Sequence, residues 1–229
     1  MIESNETEGL LRGDKGSLQN DKDVRLGFVR KVFGILTAQL GFTAAFCIMA
    51  MKSDEFKLVL FNPTYIWPVI VMYFVSFCAI ACCGLDKKVP VNYVLLFIFT
   101  ACVSWMVGAA CTRYDERTVI EATCLTTAIC AGIMVYAMTT KNDFTIFGPV
   151  LFMLGFVFMT FGILFAVMGF HLNLIWATLG VILFGFYLLV DTQMIMGGQN
   201  KRYQFDEDSY ILAAVVLYLD IINIFLYIL

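Results

Sequence analysis

The sequence predicts an all-α membrane protein built from seven transmembrane helices. Hydrophobic residues make up 61% of the 229-residue chain and charged residues only 14%, whereas a soluble domain has about 25% charged residues. Apolar runs long enough to cross a bilayer as helices recur along the chain, separated by short polar segments. Since no polar segment is long enough to fold separately, we expect one polytopic membrane domain.

Residues 1–23 are acidic and polar, which predicts a disordered tail ahead of the seven-helix domain of residues 24–229. The polar N-terminus has no apolar core of a signal peptide. The spans that the apolar runs predict are residues 32–51, 65–85, 90–112, 119–140, 147–168, 174–196 and 209–229.

Prolines and one long uncharged run set several of these boundaries. Pro68 and Pro90 fit the first turns of the second and third spans, where proline removes no needed hydrogen-bond donor. Residues 144–190 contain no charged side chain except His171, and 47 residues are too many for one helix. We therefore predict a break at residues 169–173 between two spans.

Basic residues predict the orientation in the membrane. Eleven of them would lie on the side of the N-terminus and four on the other side, and the more basic side of a membrane protein is normally cytosolic. The N-terminus is therefore predicted to be cytosolic, and Leu229 to lie in the lumen if the last span crosses fully. Residues 6–11 resemble an acidic dileucine sorting signal, which would suggest endosomal or lysosomal traffic.

Two aspartates within the last two spans are the main functional signal. Asp191 and Asp220 lie about 10 Å and about 16 Å from the cytosolic ends of their helices, so their carboxyl groups can meet. Carboxylates inside a membrane cost roughly 2.5–3.5 kcal/mol on insertion scales and usually carry function. Tyr187 and Asn223 lie on the same helical faces and are candidate hydrogen-bond partners.

Such a pair would act as a pH-sensitive gate or a cation site. Two carboxylates in a low dielectric cannot comfortably both ionise, so the pair is expected to share a proton. A strong Ca²⁺ site needs 6–8 oxygen ligands, so Asp191 and Asp220 predict weak Ca²⁺ binding that suits a leak. Three acidic residues at the lumenal start of the fourth span could recruit cations: Asp115, Glu116 and Glu121.

The patterns of cysteines and charges argue against a metal or redox site and against nucleic-acid binding. The eight cysteines lie mostly in apolar runs without a CxxC pair, so we interpret them as packing residues rather than a metal or redox site. We expect no resident cofactor and no enzyme activity. A net charge of −3 with dispersed basic residues argues against nucleic-acid binding.

Glycines predict close helix packing. They recur every seven residues, and small residues at such spacing let neighbouring helices approach in a membrane. The two sets are Gly27, Gly34 and Gly41, and Gly148, Gly155, Gly162 and Gly169.

Four segments resemble the lifeguard branch of the transmembrane Bax inhibitor motif family. They are VRLGFVRKVF at residues 24–33, KNDFT at 141–145, YLLVDTQ at 187–193 and LYLDIINIFLY at 217–227. The resemblance implies a bundle of six helices around a central, C-terminal seventh. It also implies a pH-sensitive Ca²⁺ leak from internal stores, with Asp191 and Asp220 as the gate, and restraint of apoptosis. Lys87 and Lys88 are candidates for a basic residue that latches onto the pair.

Several alternatives stay open at this stage. The aspartates could be structural, in a non-conducting regulator of cell-death or receptor signalling that binds other membrane proteins, or the protein could exchange Ca²⁺ for H⁺. An intramembrane aspartyl protease is disfavoured because no GxGD motif is present, and a seven-helix receptor because its helix motifs are missing. The endoplasmic reticulum or Golgi is the expected location.

Overall fold

The computed structural model contains helices and connecting loops, and no β-strand, in the residues that it describes. Its backbone is described for residues 2–168, 174–198 and 201–229, and its side chains for 23–165, 174–198 and 201–229. The helices are α1 (Ile2–Lys52), α2 (Asp54–Leu60), α3 (Pro63–Ala81), α4 (Val91–Cys111), α5 (Glu116–Thr139), α6 (Gly148–Met168), α7 (Leu174–Met196) and α8 (Tyr210–Ile228).

Seven of these helices are long and apolar enough to cross a membrane, which confirms the predicted fold class. In α1 the candidate span begins at Asp23, and α2 is a short additional helix between the first two spans. We call the end of the bundle that carries the loops of residues 82–90, 140–147 and 197–209 the basic end. The other end, with the loop of residues 112–115, is called the opposite end.

Helix α8 forms the centre of the bundle. It packs against α1, α3, α4, α5 and α7, and half of its most apolar window is buried, compared with 6% for α6. Ile211, Leu217 and Ile224 on α8 are fully buried, whereas large apolar side chains of α6 such as Phe152 and Phe156 face outward. The prediction of a central C-terminal helix is confirmed, and α6 is a peripheral helix with a lipid-facing surface.

Polar side chains fix the register of α1 against α4. Gln39 donates a hydrogen bond to Thr100 (3.0 Å), and one turn further the hydroxyls of Thr43 and Ser104 lie 2.9 Å apart. The Thr43 hydroxyl also lies 2.7 Å from that of Tyr218, which is fully buried on α8. Both contacts between α1 and α4 join residues 61 positions apart, so these two helices run parallel. Through the Tyr218 hydroxyl, the contact of Thr43 with Ser104 also ties both helices to α8.

Two predicted helix starts differ from the structure. Helix α3 begins at Pro63 because Asn62 caps it, its side-chain oxygen accepting a hydrogen bond from the Thr64 amide (3.0 Å). Pro63 therefore occupies the first turn and Pro68 lies inside the helix, contrary to the sequence-based assignment. Pro90 is the N-cap of α4 rather than a residue of its first turn.

Among the repeated glycines whose surroundings the structure describes, only one lies where an added side chain would collide with a neighbouring helix. A Cβ added at Gly27, Gly34 or Gly41 would meet no described atom within 4 Å, so these three glycines do not mediate a close helix contact. At Gly155, by contrast, the added atom would collide with the Tyr187 hydroxyl. Seven-residue spacing places glycines on one face but does not decide whether another helix lies there.

Two further expectations concern the margins of the described structure. The backbone of α1 is helical from Ile2, which differs from the disordered tail expected for residues 1–23; the side chains of the dileucine-like segment, residues 6–11, lie outside the described residues. The predicted break at residues 169–173 also lies outside them.

Replacing Tyr218 with phenylalanine tests the hydrogen-bond network at the centre of the bundle. Removing one buried hydroxyl partner should cost roughly 1 kcal/mol, which lowers the melting temperature of the purified protein in detergent by about 2–4 °C. Tyr203→Phe, at an exposed position, is the matched control and should melt like the unaltered protein. Equal melting of both variants would contradict a stabilising role for the Tyr218 hydroxyl.

Candidate functional site

Asp191 and Asp220 meet in the interior of the bundle. Asp191 lies on α7 and is 8% exposed, and Asp220 lies on α8 and is 4% exposed. Their carboxyl groups lie close enough to interact directly, and could share a hydrogen bond if one of them carries a proton. We call these two residues the aspartate pair. The structure thus brings together the two residues that the sequence singled out.

A hydrogen bond between two carboxyl groups requires a proton on one of them. Asp220 Oδ2 is buried and accepts no hydrogen bond from any N–H or O–H donor among the described residues. Within the same part of the chain neither aspartate forms a salt bridge with a lysine or arginine. The pair therefore carries at most one negative charge in this conformation, because no neighbouring cation offsets a second one.

The predicted supporting residues bond to backbone carbonyls instead of to the pair. Tyr187 lies close enough to both aspartates to interact electrostatically, but its hydroxyl donates to the Leu151 carbonyl on α6 (2.6 Å). The Asn223 side chain donates to the Leu219 carbonyl of its own helix (2.8 Å). Both side chains contribute to helix structure beside the pair, and neither donates a hydrogen bond to its carboxyl groups.

Gln193, two residues beyond Asp191, fixes the end of α7 to the loop between α5 and α6. Its fully buried side chain accepts a hydrogen bond from the Phe144 amide (2.8 Å) and donates to the Asn142 carbonyl (3.1 Å). This glutamine is the last residue of the YLLVDTQ segment, but the sequence alone assigned it no role. It holds the turn of α7 that follows Asp191.

The same loop is bonded to the α7–α8 loop. The Asp143 carboxylate accepts from the Arg202 amide (2.9 Å), and the Lys201 ammonium donates to the Asn142 carbonyl (2.7 Å). The Tyr203 amide donates to the Thr145 hydroxyl (3.2 Å). These bonds, together with those of Gln193, form what we call the loop clasp, which covers the basic end beneath the aspartate pair.

Arg25 is a basic residue of the site that sequence reasoning missed. Its guanidinium donates to the Phe205 carbonyl (2.7 Å) and to the Met194 carbonyl in the last turn of α7 (2.5 Å). Helix α7 then ends at Met196, and Gly197 follows with a φ of 62° that suits glycine. A Cβ there would come within 2.7 Å of Arg25 Nε. The first transmembrane helix thereby anchors the helix end next to Asp191.

The two lysines considered as a latch lie at the surface. The Lys87 ammonium pairs with Asp206 (2.5 Å), both side chains being largely exposed, and Lys88 is exposed as well. The hydrogen bond from Lys87 lowers the pKa of Asp206. A lowered carboxyl pKa means that this pair is complete at neutral pH and is lost only as the pH falls through that lowered value. The Lys87–Asp206 pair therefore cannot respond to pH near neutrality.

The acidic residues at the opposite end have separate local roles. Asp115 caps α5, accepting hydrogen bonds from the amide and hydroxyl of Thr118, and Glu121 pairs with Arg117 (2.8 Å). Glu116 lines a cavity between α1, α4, α5 and α8. Across the described residues, no group of three His, Cys, Asp or Glu side chains is arranged to hold a metal ion.

A cavity of about 590 Å³ lies between α1, α4, α5 and α8 in the half of the bundle nearer the opposite end. Its lining is mostly apolar. Lys52 and Glu116 line its outer part, and Ile221, the residue directly after Asp220, lines its inner part. Thr126 also lines it, one helical turn from Cys130, which lies near Asp220. The cavity thus reaches the residue next to Asp220, and neither aspartate lines it.

The family assignment follows from comparison with known proteins. The family model described as Bax1-I, inhibitor of apoptosis-promoting Bax1, matches residues 25–229. The chain belongs to the Bax inhibitor family. Protein lifeguard 3 of Mus musculus and of Homo sapiens are each 30% identical to it over 217 residues, covering 92% of this chain and 70% or 69% of theirs. Protein LIFEGUARD 4 of Arabidopsis thaliana is 34% identical over 236 residues, covering 96% and 89%.

Removal of the Arg25 side chain should loosen the basic end. Arg25→Ala deletes two charge-assisted hydrogen bonds, each worth about 1.5–3 kcal/mol, so amide hydrogens of residues 194–205 should exchange faster with deuterium. The measurement is hydrogen–deuterium exchange of the purified protein in detergent. Arg117→Ala, which removes an exposed pair at the opposite end, should leave these residues unchanged. Unaltered exchange in Arg25→Ala would show that Arg25 does not anchor this segment.

Proposed function

We propose that this Bax inhibitor family member is a pH-sensitive, Ca²⁺-permeable leak of intracellular membranes, gated by the aspartate pair. The observation that carries the proposal is the close approach of two buried carboxyl groups on α7 and α8, with a mostly apolar cavity that reaches Ile221, next to Asp220. Intramembrane acids of this kind are costly and are associated with ion and proton pathways.

The shared proton would hold the gate closed. While one carboxyl group donates to the other, α7 and α8 would be joined across their interface, close to the cavity-lining residue Ile221. Loss of the proton leaves two carboxylates in contact, whose repulsion is strong in a low dielectric. The helices then separate, water enters, and a cation replaces the proton as the partner of both carboxylates.

Ca²⁺ would pass through such a site without being retained. Two carboxylates supply at most four oxygens, fewer than the 6–8 that Ca²⁺ prefers, so the ion keeps part of its hydration shell. Glu116 lies in the outer part of the cavity and is the best placed of the three predicted acidic residues to attract a cation. Asp191 and Asp220 are the proposed weak Ca²⁺ ligands.

Two other functions use the same residues differently. In a Ca²⁺/H⁺ exchanger the proton released by the pair would cross the membrane in return for the cation. In a non-conducting regulator of cell death, the pair would be structural and the protein would act through other membrane proteins. The description of the family model as an inhibitor of apoptosis-promoting Bax1 supports an anti-apoptotic role in each case.

The proposed setting is a membrane of the endoplasmic reticulum or Golgi, with endosomes or lysosomes as the alternative. The basic end, with Lys87, Lys141 and Lys201, would be cytosolic, as would the N-terminus. The cavity would then open toward the lumen, where stored Ca²⁺ is concentrated.

Flux measurements with the purified protein test the gate. Proteoliposomes loaded with a Ca²⁺ indicator should show faster Ca²⁺ entry as the pH rises, with a change of at most about tenfold per pH unit for one proton. Asp191→Asn and Asp220→Asn should each abolish this pH response, because an asparagine amide keeps its hydrogen-bond donor at every pH. Asp54→Asn, at an exposed acidic residue paired with Lys57, is the matched control.

The outcomes separate the three functions. A pH response that persists in both asparagine variants would overturn the gate, and a complete lack of flux would favour the non-conducting regulator. Proton movement that is stoichiometrically coupled to Ca²⁺, followed with a second, pH-sensitive dye, would identify an exchanger.

Glycosylation mapping tests the orientation. An acceptor sequon inserted in the loop of residues 112–115 should be glycosylated when the protein is made with microsomes, since that loop would be lumenal. The same sequon inserted between residues 203 and 207 should stay unmodified. The reverse pattern would show that the N-terminus is lumenal.

A further inference from the structure

Two buried cysteines face each other across the α1–α4 interface. Cys47 on α1 and Cys111, the last residue of α4, are free thiols, are 8% and 0% exposed, and lie close enough to influence each other. Neither takes part in the aspartate pair or the loop clasp. Their proximity is not evident from the sequence, because they lie 64 positions apart.

The packing of α1 against α4 explains why the two thiols meet. The contacts of Gln39 with Thr100 and of Thr43 with Ser104 continue one turn further to Cys47, beside Gly108 and Cys111. A Cβ added at Gly108 would lie 3.4 Å from the Cβ of Ala50. The two helices therefore approach each other closely within one turn of both cysteines, as a disulfide, which needs Cβ atoms about 3.5–4.5 Å apart, requires.

The cavity brings small molecules up to Cys47, which keeps 8% of its surface exposed, whereas Cys111 is fully buried beside it. Cys47 and Cys111 line it, together with Lys52 and Glu116 in its outer part. A hydroperoxide such as hydrogen peroxide is small and neutral, so it can enter a mostly apolar space of about 590 Å³. Cys124 also lines the cavity but is exposed, whereas Cys102 and Cys130 are buried and do not line it, so Cys47 and Cys111 are the cavity-lining cysteines that are buried.

A metal site is not the better explanation for these thiols. A structural zinc site takes four ligands and a catalytic one three protein ligands. No such group of His, Cys, Asp or Glu side chains exists among the described residues. Two neighbouring thiols, one of them within reach of an oxidant, instead match the requirements of a reversible disulfide.

We infer that Cys47 and Cys111 form a redox modification site, in which a hydroperoxide converts the thiol pair into a disulfide between α1 and α4. With hydrogen peroxide as the oxidant, one sulfur attacks the peroxide, the O–O bond breaks, and a sulfenic acid and one water form. The second sulfur attacks the sulfenic acid, the S–S bond forms, and a second water leaves. Two thiols thus lose two electrons and two protons, and the peroxide is reduced to two waters.

The disulfide would join two walls of the cavity. It would fix the end of α1 to the end of α4, so that the cavity could not widen between these helices. Its formation does not depend on whether the protein conducts Ca²⁺, and the experiment therefore follows the bond rather than ion flux.

Peptide mass spectrometry tests this inference on the purified full-length protein in lipid nanodiscs. After treatment with hydrogen peroxide and blocking of free thiols with N-ethylmaleimide, non-reducing digestion should give a peptide that links Cys47 to Cys111. Dithiothreitol should remove the linkage. The oxidised protein should melt at a higher temperature than the reduced one, since the bond closes a long loop in the unfolded chain.

Matched variants decide the assignment. Cys102→Ser and Cys130→Ser should leave the linkage intact, whereas Cys47→Ser and Cys111→Ser should abolish it. The inference is overturned if both thiols of the unaltered, folded protein remain fully reduced while the exposed cysteines oxidise. It is equally overturned if either cysteine links preferentially to a different partner. Because both tests use the unaltered protein, they hold even if a serine variant fails to fold.

Discussion

The close approach of the buried Asp191 and Asp220 carboxyl groups is the constraint that the surrounding residues must accommodate. A carboxyl pair can remain in an apolar interior only when it shares a proton, since two charges at contact without a cation would repel strongly. The surrounding structure maintains that condition. Tyr187 and Asn223 donate to backbone carbonyls, and the described lysines and arginines form no salt bridge with either carboxyl group.

The two ends of the bundle differ in a way that suits a gate. At the basic end, Gln193, Asp143 and Arg25 bind backbone groups of the loops and of α7, so that the segment following Asp191 is held in several directions. At the opposite end a mostly apolar cavity reaches inward to Ile221, next to Asp220. A change in the charge of the pair would therefore act on a helix end that is anchored on one side and bordered by space on the other.

Much of the fold and the centre of the site were predictable because both depend on hydropathy. Seven apolar runs can be satisfied only as helices in a membrane, and charges that interrupt such runs stand out, as Asp191 and Asp220 do. The contacts of side chains were less predictable. Lys87 was a candidate for the site and lies at the surface, whereas Arg25, which resembled an ordinary flanking residue, binds the end of α7.

The sequence alone determined the helical class, the number of spans and the presence of two acids at similar depth, because each is set by the local cost of placing polar groups in lipid. Only the tertiary structure decided which helices are neighbours. The parallel packing of α1 and α4 brings Cys47 to Cys111, and the central position of α8 brings Asp220 to Asp191. Such pairings join residues far apart in the chain, and their geometry depends on helix rotation, which periodicity does not specify.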